Sequence, residues 1–275
     1  MNSPSVRVAG VQMVSTTDVD ENLRAAANLI AHAAGGGARL IALPEYFCLM
    51  GQRDTDKVAL RETDGQGPIQ DFLANQARQH RVCLVGGTLP LVAPESDRVL
   101  NSLLVYGPSG ERVARYDKIH LFRFNKGKEE YDEARTISPG SDVATFKLAT
   151  EEGTRLLVGL SICYDLRFPE LYRAMARPDL ILVPSAFTAT TGRAHWDILL
   201  RARAIENLAY VLAPAQGGRH ENGRSTYGHT MLIDPWGSVV ASRSDGEGVV
   251  FGEINPQLIA DSRASLPALE HRVLT

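Results

Sequence analysis

Apolar residues along this chain fall in short, β-branched clusters that alternate with longer segments of helical period. Residues 6–13 (VRVAGVQM) predict a first strand. Asp18 or Asp20 then caps a helix that runs through Leu23, Ala26, Ala27, Ile30 and Ala34 and ends at the glycines of positions 35–37. Residues 39–43 (RLIAL) predict a buried strand stopped by Pro44, residues 69–80 a helix, and residues 82–87 (VCLVGG) another strand. Residues 100–106, the Gly-Pro-Ser-Gly turn at 107–110 and residues 111–116 predict a hairpin. The second half repeats the rhythm, with strands at 156–162, 180–184 and 209–213, a short helix at 169–176 and an amphipathic helix at 195–207. Residues 228–235 and 238–241 form a second hairpin. No linker, low-complexity run or charge block divides the chain, so residues 1–275 read as one α/β domain with a mixed sheet or a pair of sheets. Residues 261–275 show no core of their own and read as an arm for a partner subunit.

Several buried strands end on a polar or unusual residue: Glu45 after RLIALP, Cys163 after LLVGLSI, Ser185 after LILVP. Ligands of α/β sheets gather beyond the carboxyl ends of the strands, so these distant residues are candidates for one cleft. A strand leaving a core must also simply end on something polar, and both readings stand for each residue taken alone.

Composition narrows the choice. The 275 residues carry a net charge of −3, which offers no basic footprint for nucleic acid or an anionic membrane. The N-terminus lacks the layout of a signal peptide, and no apolar run approaches the roughly 20 residues of a membrane helix. Three scattered cysteines form no disulfide framework, no CxxC suggests zinc, and no GxxxxGK[ST] opens a phosphate loop. A cytoplasmic chain whose partner is a small molecule or another protein, with no metal or cofactor, is the expectation.

Cys163 stands just before FPEL, where Pro169 and Glu170 suit a first helical turn. Such an elbow exposes a thiol, and a helix N-terminus or nearby cation lowers its pKa; a buried, inert cysteine is the alternative. Cys83 lies within a strand, and Cys48 is at most a pocket-wall residue. A nucleophilic thiol needs a base. His120, His195 and His229 carry no local signature of a Cys–His site, whereas a partly buried carboxylate such as Glu45 also serves. Lys118, amid Ile119, Leu121 and Phe122, is either an edge lysine or a cation held to meet developing negative charge.

Three motifs, LPE at 43–45, YDKIHLF at 116–122 and SICYDLRFPE at 161–170, together resemble the nitrilase superfamily of carbon–nitrogen hydrolases. The similarity continues through PSAFT, TGRAHW, RARAIEN and YGHTMLIDPWG, over nearly the whole chain. The resemblance implies a four-layer αββα sandwich with two stacked mixed sheets, and a homodimer paired across a helix-lined face. It implies Cys163 as nucleophile, Glu45 as acid–base and Lys118, with the backbone N–H of Tyr164, as oxyanion stabiliser. A second glutamate before SPG is Glu133, orienting Lys118 or substrate; its neighbours Glu129 and Glu130 read as solvated. The finer motifs are most similar to the deaminated glutathione amidase branch and its ω-amidase kin. They imply an amidase that turns a small carboxylate-bearing α-keto acid amide into acid and ammonia through a thioester. An ω-amidase on α-ketoglutaramate, an N-carbamoyl amide hydrolase, a nitrilase and an inactive scaffold protein are the alternatives. Arg167 then anchors the substrate carboxylate, with Thr191 as a further donor, although an ion pair of Arg167 with Glu170 or Asp165 fits equally well. His195 and Trp196 shape the pocket wall, and His120 is structural.

Overall fold

The computed structural model describes all residues except 1–3, 96, 128, 150–152, 154 and 274–275. Its first sheet begins with β1 (Val6–Gln12), whose alternation sets the layers. Val6 and Val8 point into a core shared with a second sheet, while Ala9 and Val11 pack under helices on the other side. A one-residue slip would exchange the two sets, so burial on both faces fixes the register. β2 (Leu40–Ala42) and β3 (Cys83–Val85) continue in parallel. β4 (Leu89–Val92), β5 (Val99–Tyr106) and β6 (Arg112–Asp117) extend the sheet in antiparallel pairs. The amphipathic α1 (Val19–Gly35) and α3 (Pro68–His80) cover its outer face, with the short α2 (Asp56–Leu60) between them in sequence. Asp18 caps α1 by accepting a hydrogen bond from the Glu21 N–H at 2.9 Å.

A hairpin of β7 (Arg123–Lys126) and β8 (Glu129–Asp132) leads to the second sheet, β9 (Thr145–Ala149), β10 (Arg155–Leu160), β11 (Leu180–Leu182) and β12 (Tyr210–Ala213). Here too three parallel strands, β10 to β12, form the centre. A ribbon of β13 (Gly217–Arg219) and β14 (Ser225–Tyr227) precedes β15 (Thr230–Ile233) and β16 (Val239–Arg243), which complete this sheet. β17 (Gly248–Ile254) returns to pair antiparallel with β1. α4 (Pro169–Ala174) and α5 (Ala189–Asn207) contribute Leu171, Tyr172, Trp196 and Leu200 to the core on the second sheet's side. The two stacked mixed sheets, each with helices outside, form the four-layer αββα sandwich that the resemblance implies.

Two expectations change. Helix α5 begins at Ala189, six residues ahead of the predicted start, capped by Thr188 Oγ1 on the Thr191 N–H at 3.2 Å. The tail is also less detached than the sequence suggests. α6 (Pro256–Ser265) buries Ile259 and Ser262, and Arg263 binds Asp179 Oδ1 at 3.0 Å and the Pro178 carbonyl at 2.7 Å. Residues 261–265 therefore pack on their own chain, while residues 274–275 lie outside the described part.

Candidate active site

The parallel strands of both sheets release their carboxyl ends toward the same cleft. After β2 the chain passes Leu43 and Pro44 to Glu45, which is buried. Gly87, at φ +55°, lets the loop after β3 run directly beneath; a Cβ there would collide with the Pro44 carbonyl. The Glu45 carboxylate is held at both oxygens. Oε1 accepts from Asn101 Nδ2 at 3.0 Å and Lys118 Nζ at 2.8 Å, and Oε2 accepts from the Ala186 N–H at 2.9 Å, beyond β11. One carboxylate thus ties the two sheets together.

Lys118 follows β6 and is fully buried, so it is no snorkelling edge lysine. Its ammonium lies between Glu45 and Glu133, 2.8 Å from Glu133 Oε2 and 2.9 Å from Oε1. Burial alone would drive its pKa down, but the charges of Glu133 and Glu45 outweigh burial and hold it well above the ordinary lysine value. Burial likewise opposes ionisation of Glu133, yet the Lys118 charge, the Phe122 N–H at 2.7 Å and the Tyr46 hydroxyl at 2.9 Å bring its pKa below the usual carboxylate value. The buried Glu45 and the partly buried Glu133 therefore share one ammonium. An ammonium carries three donors; with one on Glu45 and one on Glu133, a third remains for a ligand.

Cys163 opens a 3-10 turn, Cys163–Arg167, at φ +48°, in the left-handed region. Its own N–H is used by the Pro184 carbonyl at 3.0 Å, so Tyr164 supplies the next backbone N–H of the turn. The expectation of a lowered thiol pKa is overturned. Burial and the Glu45 charge push the Cys163 thiol well above its ordinary value, and the Lys118 charge opposes them without prevailing. Hydrogen bonding to Glu45 acts in the same direction. Both burial and the neighbouring Glu45 carboxylate thus favour the protonated sulfur. Burial likewise pushes the Cys48 and Cys83 thiols up to about 12, and no lysine charge opposes it there.

Cys163, Tyr164, Arg167 and Thr191 line one small pocket together with Phe122, Ala186, Phe187 and Thr188. Arg167 lies over the Tyr164 ring at 5.6 Å and the Phe187 ring at 5.5 Å. Among the described residues no carboxylate reaches it; its one polar neighbour is His195 Nδ1 at 3.3 Å. The expected alternative, an ion pair with Asp165 or Glu170, is not found among the described residues, and Asp165 is engaged elsewhere. Its oxygens accept from Tyr116 Oη at 2.7 Å, the Ile162 N–H at 2.9 Å and the His120 N–H at 3.0 Å, with His120 Nδ1 at 2.8 Å. His120 also stacks on Phe168 at 3.7 Å and is structural, as read from the sequence. Trp196 packs against Phe187 and donates to the His229 carbonyl at 2.9 Å. Thr191, on the first turn of α5, is 2.9 Å from Thr188 Oγ1.

Some residues escaped the sequence reading. Asn101 positions Glu45, and a lone amide in the apolar run of β5 was the available signal. Tyr46, adjacent to Glu45, binds Glu133, which its neighbour's importance alone did not reveal. Glu129 is not solvated: its Oε1 accepts from Thr190 Oγ1 at 2.6 Å and its Oε2 is buried.

The carbon–nitrogen hydrolase family model matches residues 7–264. A Synechocystis protein named deaminated glutathione amidase is 41% identical over 269 residues, covering 96% of this chain and 97% of its own. A human protein of the same name is 36% identical over 271 residues, covering 96% of this chain and 81% of its own. The crystal structure of Saccharomyces cerevisiae Nit3, a member of branch 10 of the nitrilase superfamily, superposes with a TM-score of 0.86 at 31% identity, covering 99% of this chain and 98% of that one. The chain belongs to the carbon–nitrogen hydrolase family, within the nitrilase superfamily.

Proposed function

We propose that this hydrolase cleaves a small carboxylate-bearing carboxamide through a thioester on Cys163, with deaminated glutathione or a related α-keto acid amide as substrate. The observation that carries the reading is the fully buried Lys118 ammonium, held by Glu45 and Glu133 beside the Cys163 thiol. Glu45 takes the thiol proton as sulfur bonds to the amide carbon. The raised thiol pKa makes this a transfer during attack, not the use of a standing thiolate. The oxyanion meets the third donor of Lys118 and the Tyr164 N–H. Glu45 then returns the proton to the departing nitrogen, the carbon–nitrogen bond breaks, and ammonia or an amine leaves. Water, deprotonated by Glu45, attacks the thioester and releases the acid and the thiol. Glu133 keeps Lys118 charged and oriented throughout.

The substrate class is supported by Arg167, a guanidinium with no carboxylate partner among the described residues, lining the same pocket as Cys163 and Thr191. Steady-state hydrolysis across α-keto acid amides, α-ketoglutaramate, N-carbamoyl compounds, aliphatic amides and nitriles tests it. The keto-acid amides should lead in kcat/KM, and Arg167→Ala should raise KM for carboxylate-bearing members. A lead for simple aliphatic amides or nitriles rejects the substrate class. We also read residues 1–275 as one functional unit that pairs with a second copy across α5, where Ile198 is 68% exposed beside the exposed Ile205 and Trp236. Sedimentation of Ile198→Glu should then report a monomer.

A further inference from the structure

Arg224 sits just before β14, and β14 runs along the cavity wall. The Tyr227 N–H donates to the Phe187 carbonyl at 2.9 Å, and Thr226 bridges Thr188. The half-buried guanidinium of Arg224 lies 4.9 Å over the ring of Tyr131 on β8. From there an aromatic strip leads inward: Tyr131 to Phe122 at 5.8 Å, and Phe122 to Tyr164 at 5.2 Å, with Arg167 over Tyr164 at 5.6 Å. Two arginines thus flank one strip of rings whose inner members wall the Cys163 cavity.

Both guanidiniums lack an anion among the described residues. Three other covered arginines have one: Arg115 meets Asp64 and Asp117, Arg203 meets Glu206, and Arg263 meets Asp179. Arg224 has five side-chain donors and, among the described residues, neither a carboxylate nor a hydrogen-bond acceptor for them. Its place over the Tyr131 ring leaves its N–H groups without a partner among the described residues, and a guanidinium takes a carboxylate bidentately. Its charge also reaches the site, opposing the larger effect of burial on the Tyr46 hydroxyl and adding to the effect of burial on the Lys57 ammonium.

We propose that Arg224 is a second carboxylate anchor, binding an acidic group on the leaving-amine side of the scissile bond while Arg167 takes the one on the acyl side. This rests on the amidase reading above and narrows its substrate to amides with a carboxylate at each end. Deaminated glutathione has that layout, a keto acid at one end and a terminal glycine carboxylate at the other. A primary amide, which releases ammonia, has nothing to offer Arg224.

Two amides sharing one α-keto acyl group test the assignment, one with a leaving amine ending in carboxylate and one with that carboxylate capped as a neutral carboxamide. The quantity to follow is the ratio of their kcat/KM values, because a general defect in the variant cancels from it. For the wild-type protein the acid should be favoured by about 10-fold or more, the worth of a charge-assisted pair. In Arg224→Gln the ratio should fall toward one. In Arg224→Lys, which keeps charge but loses the bidentate fork, it should fall several-fold, and that variant carries the test if the first does not fold. An unchanged ratio in an active variant overturns the role of Arg224 alone. Hydrolysis of neither amide by the wild-type protein overturns the substrate reading beneath it, a distinct result.

Discussion

Replacing Lys118 by methionine isolates what the buried ammonium does. Methionine retains most of the stem's packing volume and removes the charge, leaving the carboxylates of Glu45 and Glu133 face to face in a site where Lys118 is fully buried. Breaking a buried pair in this way costs about 3–5 kcal/mol, because the remaining charge is uncompensated. The variant has a way to recover: the two carboxylates can share a proton, which raises their pKa in the folded state above the unfolded carboxylate value of about 4.3. A folded pKa raised in this sense confers stability at low pH that is lost as pH rises through it. Wild-type Glu133 behaves oppositely: its pKa is lowered, so its contribution is present above about pH 4.3 and lost below. The stability gap between the two proteins should therefore widen from pH 5 to pH 8, reaching about 3–5 kcal/mol at the upper end. Urea unfolding followed by tryptophan fluorescence at both pH values measures it. Turnover should fall by about 10²–10³ from the lost oxyanion donor. A gap under about 0.5 kcal/mol, the range of ordinary surface substitutions, or one that ignores pH, would refute the assignment of charges in this cluster.

Two further outcomes follow from the same geometry. The thiolate absorbance difference between wild type and Cys163→Ala should stay flat from pH 6 to above the ordinary thiol value of about 8.5, since burial and Glu45 hold the proton on sulfur; a step below pH 8 would mean a standing thiolate. Gly87→Ala should lower kcat about tenfold or more with little change in secondary structure by circular dichroism, because the new Cβ displaces Pro44 and with it Glu45; unaltered kinetics would show that the Pro44 loop does not position the carboxylate.

The sequence disclosed the central strands and the residues that converge at the candidate site more readily than the edges of the fold. Strands β1, β2, β10, β11 and β12 are apolar clusters bounded by breakers, and burial on both faces makes such runs conspicuous. β4 was invisible because Pro90 stands inside it, tolerated at the end of the sheet. β17 depends on pairing with β1 across the length of the chain, information no local window contains. The start of α5 was hidden by its own chemistry. Thr190, Thr191 and Gly192 read as a loop, yet Gly192 is needed where the Tyr227 ring presses on the helix. At the site, Glu45, Lys118 and Cys163 were legible through motifs in a fixed order. The hydrogen bonds that hold them, from Asn101, Tyr46 and the Ala186 N–H, belong to tertiary structure and left only faint marks. The thiol's protonation state was misjudged because a cation nearby was weighed without the two carboxylates and the burial that outweigh it.

The most direct test is intact-mass spectrometry of the protein quenched during turnover of a keto-acid amide. A mass increase equal to the acyl group, mapped to the peptide containing Cys163 and accumulating in Glu45→Gln if deacylation is slowed more than acylation, is the expected result. Steady turnover by Cys163→Ala, or acylation of any other residue, would contradict a thioester formed between the buried carboxylate and ammonium of this site.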